Sequence, residues 1–353
     1  MYKYEHFIPE NIAPVGATNI GVYNGAGENV CDIPLGNLAP PKATKRYSFC
    51  AISDVHISGS ESYKTSVEDF QNALTFVENS DCAFTCICGD LTENGGDVQL
   101  SKYKGIVDAY AKTKPVYAIS GNHEFYSVYN ILEQFTEKHL YYTVSNKPTD
   151  YASRNYYNSA VGENDVFVMV GHAGTWDAGT QFTVAELQWL YETLEANRNK
   201  RCFVFCHVFP YKDGVGNANG AYPNDMWTST VGTVFENLMK HYKNTVLFHG
   251  HSHFRFSLQM VDEKANYSSA VGYRSVHIPS LAVPRDGAYA TIHAESEGYI
   301  VDVYDDYIIL NGRDFIDNEK DGHWLAIATY KIDTTLQTVT PNKFKDITGT
   351  ITT

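Results

Sequence analysis

The chain has 353 residues, 43% of them apolar and 19% charged, which suits one large catalytic domain or two ordinary ones and argues against a disordered chain. A net charge of −14, from 27 basic and 41 acidic side chains, argues against a sequence-independent grip on nucleic acid. It leaves phosphate ligands open, because bound cations reverse the local field of an acidic protein.

The first residues, Met1-Tyr-Lys-Tyr-Glu-His-Phe7, contain no apolar h-region, and no run of about 18 apolar residues follows, so a cytoplasmic protein without membrane contact is expected. Residues 1–45 read as a separate lead-in: two short strands around an Asn24-Gly25 turn, then a linker marked by Pro34, Pro40 and Pro41. This arm is the candidate element for any association between subunits; the oligomeric state itself is left open. From residue 46 to 353 the pattern is that of a single catalytic domain. Strands are expected at 47–53, 83–88, 115–120, 165–170, 201–206 and 245–248, and helices at 65–80, 98–113, 184–197 and 233–242. A Thr183-x-x-Glu186 capping box opens the third helix. Such βα alternation implies an open α/β sheet, and the β-rich stretch 254–353 is expected to complete a second sheet. Seven Cys, mostly in apolar runs and without paired C-x-x-C spacing, read as small buried hydrophobes rather than as a thiolate site. The 26 Tyr are best explained as half-buried strand residues.

Five buried strands stop abruptly at polar residues: Asp54-Val-His56, Gly89-Asp90, Gly121-Asn122-His123, Cys206-His207 and Gly250-His251-Ser-His253. Ligands of open α/β sheets bind beyond the carboxyl ends of the strands, so these ends converge on one point. Imidazole with carboxylate and no Cys suits Zn, Mn or Fe rather than Ca. Two residues apart on an extended segment, Asp54 and His56 point to the same side, as do His251 and His253. Seven candidates, Asp54, His56, Asp90, Asn122, His207, His251 and His253, are too many for one four-coordinate ion and fit two ions sharing Asp90.

In this order the motifs resemble the calcineurin-like metallophosphoesterase superfamily, over residues 47–254. The resemblance implies a four-layer α/β/β/α sandwich of two mixed sheets and two divalent or mixed-valence ions (Mn, Fe or Zn). It implies metal one on Asp54, His56, Asp90 and His253, and metal two on Asp90, Asn122, His207 and His251. Asp90 and His123 would be the catalytic residues, with Asn122 and His123 contacting a small phosphoester substrate. Two cations about 3.5–4 Å apart would lower the pKa of a bridging water and aim it in line at phosphorus. Protein phosphatases of this superfamily carry an Arg soon after the Gly-Asp, and purple acid phosphatases a Tyr three residues after that Asp. Here Gly89-Asp-Leu-Thr-Glu-Asn-Gly95 has neither, and Glu93 stands in the tyrosine's place. The segment looks closer to bacterial cyclic-nucleotide phosphodiesterases, which favours phosphodiesters over monoesters. A non-catalytic scaffold or a nuclease of the same superfamily is the rival reading. His172 stays outside the ligand set, His277, His293 and His323 read as structural or surface residues, and Asn94, Tyr126 and Tyr211 are placed by position alone near the pocket.

Overall fold

The computed structural model describes residues 19–23, 29–34, 44–126, 156–158, 164–171, 182–208, 230–256, 267–269, 272–285, 294–316 and 326–348. Strands β1 (Asn19–Tyr23) and β2 (Asn29–Pro34) pair antiparallel in a sheet of their own, and the Asn24-Gly25 turn lies outside the described residues. The first βα units are β3 (Tyr47–Ile52), α1 (Ser66–Asn79), β4 (Cys82–Cys88), α2 (Asp97–Tyr110) and β5 (Val116–Ile119). There follow β6 (Tyr156–Asn158), β7 (Asp165–Val170), α3 (Val184–Ala196), β8 (Arg201–Cys206), α4 (Thr230–His241) and β9 (Thr245–His249). The carboxyl-terminal part adds β10 (Tyr267–Ser268), β11 (Arg274–His277), β12 (Glu297–Val303), β13 (Tyr307–Asp314), β14 (Ala326–Asp333) and the short α5 (Phe344–Thr348).

These strands form two six-stranded mixed sheets, β14-β13-β12-β3-β4-β5 and β10-β11-β9-β8-β7-β6. Residues beyond 254 therefore serve both sheets. Only β10 and β11 complete the second; β12 to β14 extend the first, because β12 pairs antiparallel with β3. An alternating antiparallel pattern does not encode which open edge it will meet.

The sheets pack face to face with helices outside, four layers in all. In β3, Phe49 and Ala51 face the other sheet while Cys50 and Ile52 face α1 and α2. Burial on both faces is why these strands read as continuous apolar runs. The middle of the sandwich is a slab of phenylalanines: Phe49 stacks on Phe84 at 5.5 Å and meets Phe167 edge-on at 5.1 Å. Helix α1 buries Phe70, Ala73, Leu74 and Val77, the stripe of an amphipathic helix. The capping box of α3 forms: Glu186 N donates to Thr183 Oγ1 at 3.2 Å and Thr183 N to Glu186 Oε2 at 2.7 Å. Cys50, Cys82, Cys86, Cys88, Cys202 and Cys206 are free and buried. Among the described residues no helix is long and apolar enough to cross a membrane.

At the amino-terminal ends of β7 and β8 a buried polar cluster ties the two sheets together. Arg201 Nε donates to Asp165 Oδ1 at 2.8 Å, and Tyr47 Oη to Asp165 Oδ2 at 2.8 Å. Arg201 Nη1 reaches across to Tyr304 O at 2.9 Å and Thr334 Oγ1 at 2.8 Å.

Glu297 opens β12, only 2% exposed, and accepts from the Phe256 N–H at 2.8 Å. Burial pushes its pKa up to about 8, against an ordinary 4.5, with that N–H working the other way. Between those two values the folded state keeps a proton that the unfolded chain has released. This carboxyl's stability contribution is therefore whole below pH 4.5 and erodes as the pH rises to about 8. Glu297→Gln, neutral at every pH, should gain melting temperature over the wild type progressively through that window. A gap that does not change with pH in thermal unfolding would refute this reading.

Candidate metal centre

The loops after β3, β4 and β5 carry Asp54, His56, Asp90, Asn122 and His123; those after β8 and β9 carry His207, His251 and His253. Both sheets thus contribute, and the site sits where their carboxyl-terminal edges meet. Parallel pairing runs on into the loops: Asp54 N donates to Gly89 O at 3.1 Å, His56 N to Asp90 O at 2.9 Å, and Gly250 N to His207 O at 2.9 Å.

The backbone here is not the extended one expected from spacing. Asp54 (φ 55°), His56 (48°), Asp90 (50°), His251 (75°) and His253 (63°) are all left-handed, and among the described residues no other non-glycine has positive φ. Each such residue costs about 1–3 kcal/mol, sustained only where the surroundings over-determine it. Asp54 and His56 do reach the same cluster, but through paired kinks rather than through strand alternation.

Two groups result, buried except for the half-buried His251. Asp54, His56, Asp90 and His253 present ligand atoms within 4.8 Å of one another, and so do Asp90, His207 and His251. Asp90 belongs to both. His253 Nε2 lies 3.0 Å from Asp54 Oδ1, His207 Nε2 3.1 Å from Asp90 Oδ2, and His56 Nε2 3.1 Å from His253 Nε2. Asp54 Oδ1, Asp90 Oδ2, Asn122 Oδ1 and His207 Nε2 are buried without an aligned hydrogen bond. Carboxylate oxygens and imidazole nitrogens crowded together in this way suit cations. The outer contacts leave the same impression. Asp54 Oδ2 accepts from His251 N at 3.1 Å, Asp90 Oδ1 accepts from His123 N at 3.0 Å, and His207 Nδ1 lies 2.7 Å from Cys88 O. Each group thereby has one polar atom tied to backbone and the other aimed inward.

The charges are strongly coupled. Burial alone would raise the Asp54 carboxyl, but His253 and His207 hold it well below the usual carboxylate range. Burial disfavours the His207 imidazolium, yet Asp90 and Asp54 lift its pKa to about 9. Burial brings His253 down to about 4.

His123 stands at the edge, its side chain 17% exposed, with Nε2 3.8 Å from Asp90 Oδ2 and Nδ1 2.6 Å from Glu93 O. Asn94 does not reach the pocket by its oxygen, which accepts from Gly96 N at 3.1 Å. His277 is no surface residue: it is buried, 2.8 Å from Ser252 Oγ between the two histidines of the Gly-His-x-His loop. Glu124 is a missed contributor. Its Oε1 accepts from Thr92 N at 2.9 Å and its Oε2 from Gly121 N at 2.7 Å, clasping the loops after β4 and β5. Its position in Gly-Asn-His-Glu was the available signal. Ser280, whose Oγ donates to Asp54 O at 3.0 Å, had none. Tyr126 lies at the rim; His172, Tyr211, His293 and His323 fall outside the described residues.

The family described as calcineurin-like phosphoesterase matches residues 47–255, from the start of β3 to just past His253. The chain belongs to that family. The family is one of phosphoesterases, and the Asp/His cluster is of the dinuclear kind. Among solved structures, a dimetal phosphatase from Danio rerio is similar with a TM-score of 0.61 at 14% identity, over 83% of this chain and 100% of that one. A purple acid phosphatase from yellow lupin (Lupinus luteus) is similar with a TM-score of 0.54 at 15% identity, over 86% of this chain and 58% of that one. At such identities the likeness is one of fold. No curated protein matches the sequence significantly.

Proposed function

We propose that this protein hydrolyses phosphoric esters at a dinuclear metal centre and prefers phosphodiesters, cyclic nucleotides among them. The observation that carries the reading is one carboxylate, Asp90, common to two ligand groups, with His123 at their edge. Asp54, His56, Asp90 and His253 would hold one ion, and Asp90, Asn122, His207 and His251 the other. Such ions, when bound, acidify water and neutralise charge growing on the phosphoryl oxygens. The protein's own share is to hold its ligands still and to supply a proton. His123 donates through Nδ1–H to the Glu93 carbonyl, which turns Nε2 toward the centre, where the imidazolium form would donate to the leaving oxygen. An alkoxide, a poor leaving group, gains most from that donor. The preference for diesters is further supported by Glu93, held by the Ser58 and Ser60 hydroxyls where purple acid phosphatases place a metal-binding Tyr.

A panel of bis-p-nitrophenyl phosphate, p-nitrophenyl phosphate and cyclic nucleotides, each with Mn, Fe, Zn or Ni, tests this directly. Diester turnover should at least match monoester turnover, and His123→Ala should lower cyclic-nucleotide turnover, with its alkoxide leaving group, by about 10²-fold and bis-p-nitrophenyl phosphate turnover by less. Faster monoester hydrolysis would overturn the substrate preference. Full activity after chelation would overturn the metal mechanism.

A further inference from the structure

The loop that follows β9 holds one ligand of each group, His253 of the first and His251 of the second, on either side of Ser252. Both histidines are left-handed, with φ of 75° at His251 and 63° at His253. Ser252 N donates to Gly250 O at 3.0 Å, which closes a three-residue turn about His251. A bond of that reach across so positive a φ marks the strained form of γ-turn, which is rare. Such a turn persists only where its surroundings over-determine it. The rings do not supply all of that support. His207 has an outer contact, its Nδ1 2.7 Å from Cys88 O, but His253 Nδ1 is buried without a hydrogen bond. The aim of His253 therefore comes from its main chain. Between the two histidines Ser252 is fully buried, and its Oγ lies 2.8 Å from Nε2 of the equally buried His277. His277 is a firm post. It ends β11 in register with His249, which ends β9, and just beyond them Ile278 N donates to His249 O at 2.7 Å. The strand that leads into the loop and the strand that carries the post are thus neighbours in one sheet.

We propose that Ser252 and His277 are positioning residues: their hydrogen bond pins the strained turn to β11 and so places His251 and His253 together for the two metal positions. This rests on the dinuclear reading above. Either partner can supply the proton, so the pin holds with either tautomer of His277. Because the pin lies between the two ligands, its loss should be felt by both ions, unlike the loss of either histidine itself.

The test is calorimetric titration of chelator-stripped protein with Mn²⁺, for wild type, Ser252→Ala, His277→Leu, their double variant and His277→Gln. Wild type should take up two ions. Ser252→Ala, which removes a single oxygen, should weaken both by about tenfold, and His277→Leu should do the same. The double variant should be worse than either single one by less than about twofold, since one bond is lost in all three. His277→Gln keeps a hydrogen-bonding group within reach of Ser252 and should retain most of the affinity. The stripped Ser252→Ala protein should still unfold cooperatively. A lower melting temperature with unchanged Mn²⁺ affinity would show a merely structural contact and overturn the assignment. So would a loss confined to one ion, or losses that multiply in the double variant. Wild type binding one ion or none would instead overturn the dinuclear reading, and the role of this pair with it.

Discussion

Asp90→Ala should reduce diester hydrolysis to below about a thousandth of wild type under every metal tested, without the rescue by excess metal expected of weaker lesions. Among the described residues no other side chain lies in both ligand groups, so its loss strips an oxygen from each at once. Its second oxygen also receives the His123 N–H at 3.0 Å, so the loop carrying the proposed acid loses its anchor in the same stroke. Metal analysis of the purified variant is the second readout: far fewer than two ions per chain. Near-normal content with normal turnover would mean that the cluster is not the reaction centre.

Gly121→Ala, the addition of a single methyl group, should do comparable damage. A Cβ at Gly121 would stand 2.1 Å from Asp90 Oδ1 and 2.5 Å from the Asp90 backbone nitrogen. The side-chain atom is buried and the other is main chain, so neither has room to retreat. The Gly121 N–H is meanwhile held by Glu124 Oε2 at 2.7 Å, which prevents the loop from backing away. Overpacking of this kind costs about 1–3 kcal/mol, small enough for the fold to survive. What is lost is the placement of Asp90 and Asn122. The outcome to look for is a folded protein, by circular dichroism, with metal content and activity both strongly reduced. A fully loaded, active Gly121→Ala would show that the approach of these two loops has no bearing on the site.

Much of this site was readable before any coordinates, for a local reason. An apolar strand that stops at Asp, His or Asn announces both a buried edge and an odd choice of terminus, and that signal repeats at β3, β4, β5, β8 and β9. The open α/β sheet followed from the same periodicity and the four-layer sandwich from the family resemblance, and strand 201–206 matches residue for residue. What escaped was whatever depends on partners far along the chain. Ser280 supports Asp54 across more than two hundred residues, and nothing near either position advertises it. His277 could not be distinguished from a surface histidine until β11 was seen beside β9, pairing it with His249. The left-handed kinks at Asp54, His56, Asp90, His251 and His253 escaped for another reason. Asp and His enter that conformation more readily than most residues, but rarely enough that no single position announces it, and the surrounding loops impose it. Likewise β12 to β14 were legible as strands but not as extensions of the first sheet.

The Arg201–Asp165 cluster sits at the end of the sandwich remote from the metal centre, yet it bears on how well that centre can be aligned. The candidate ligands are divided between two sheets whose facing surfaces are apolar, phenylalanine among aliphatic side chains, and such a surface by itself would let one sheet slide over the other. Arg201 reaches from β8 to Tyr304 and Thr334 beside the opposite sheet, while Tyr47 reaches from β3 to Asp165. Pinned at its foot, the sandwich behaves like a pair of tongs with a riveted pivot: the tips can meet in only one alignment. The position of His207 relative to Asp90 is in that sense set from the far side of the molecule, by residues that never approach a substrate.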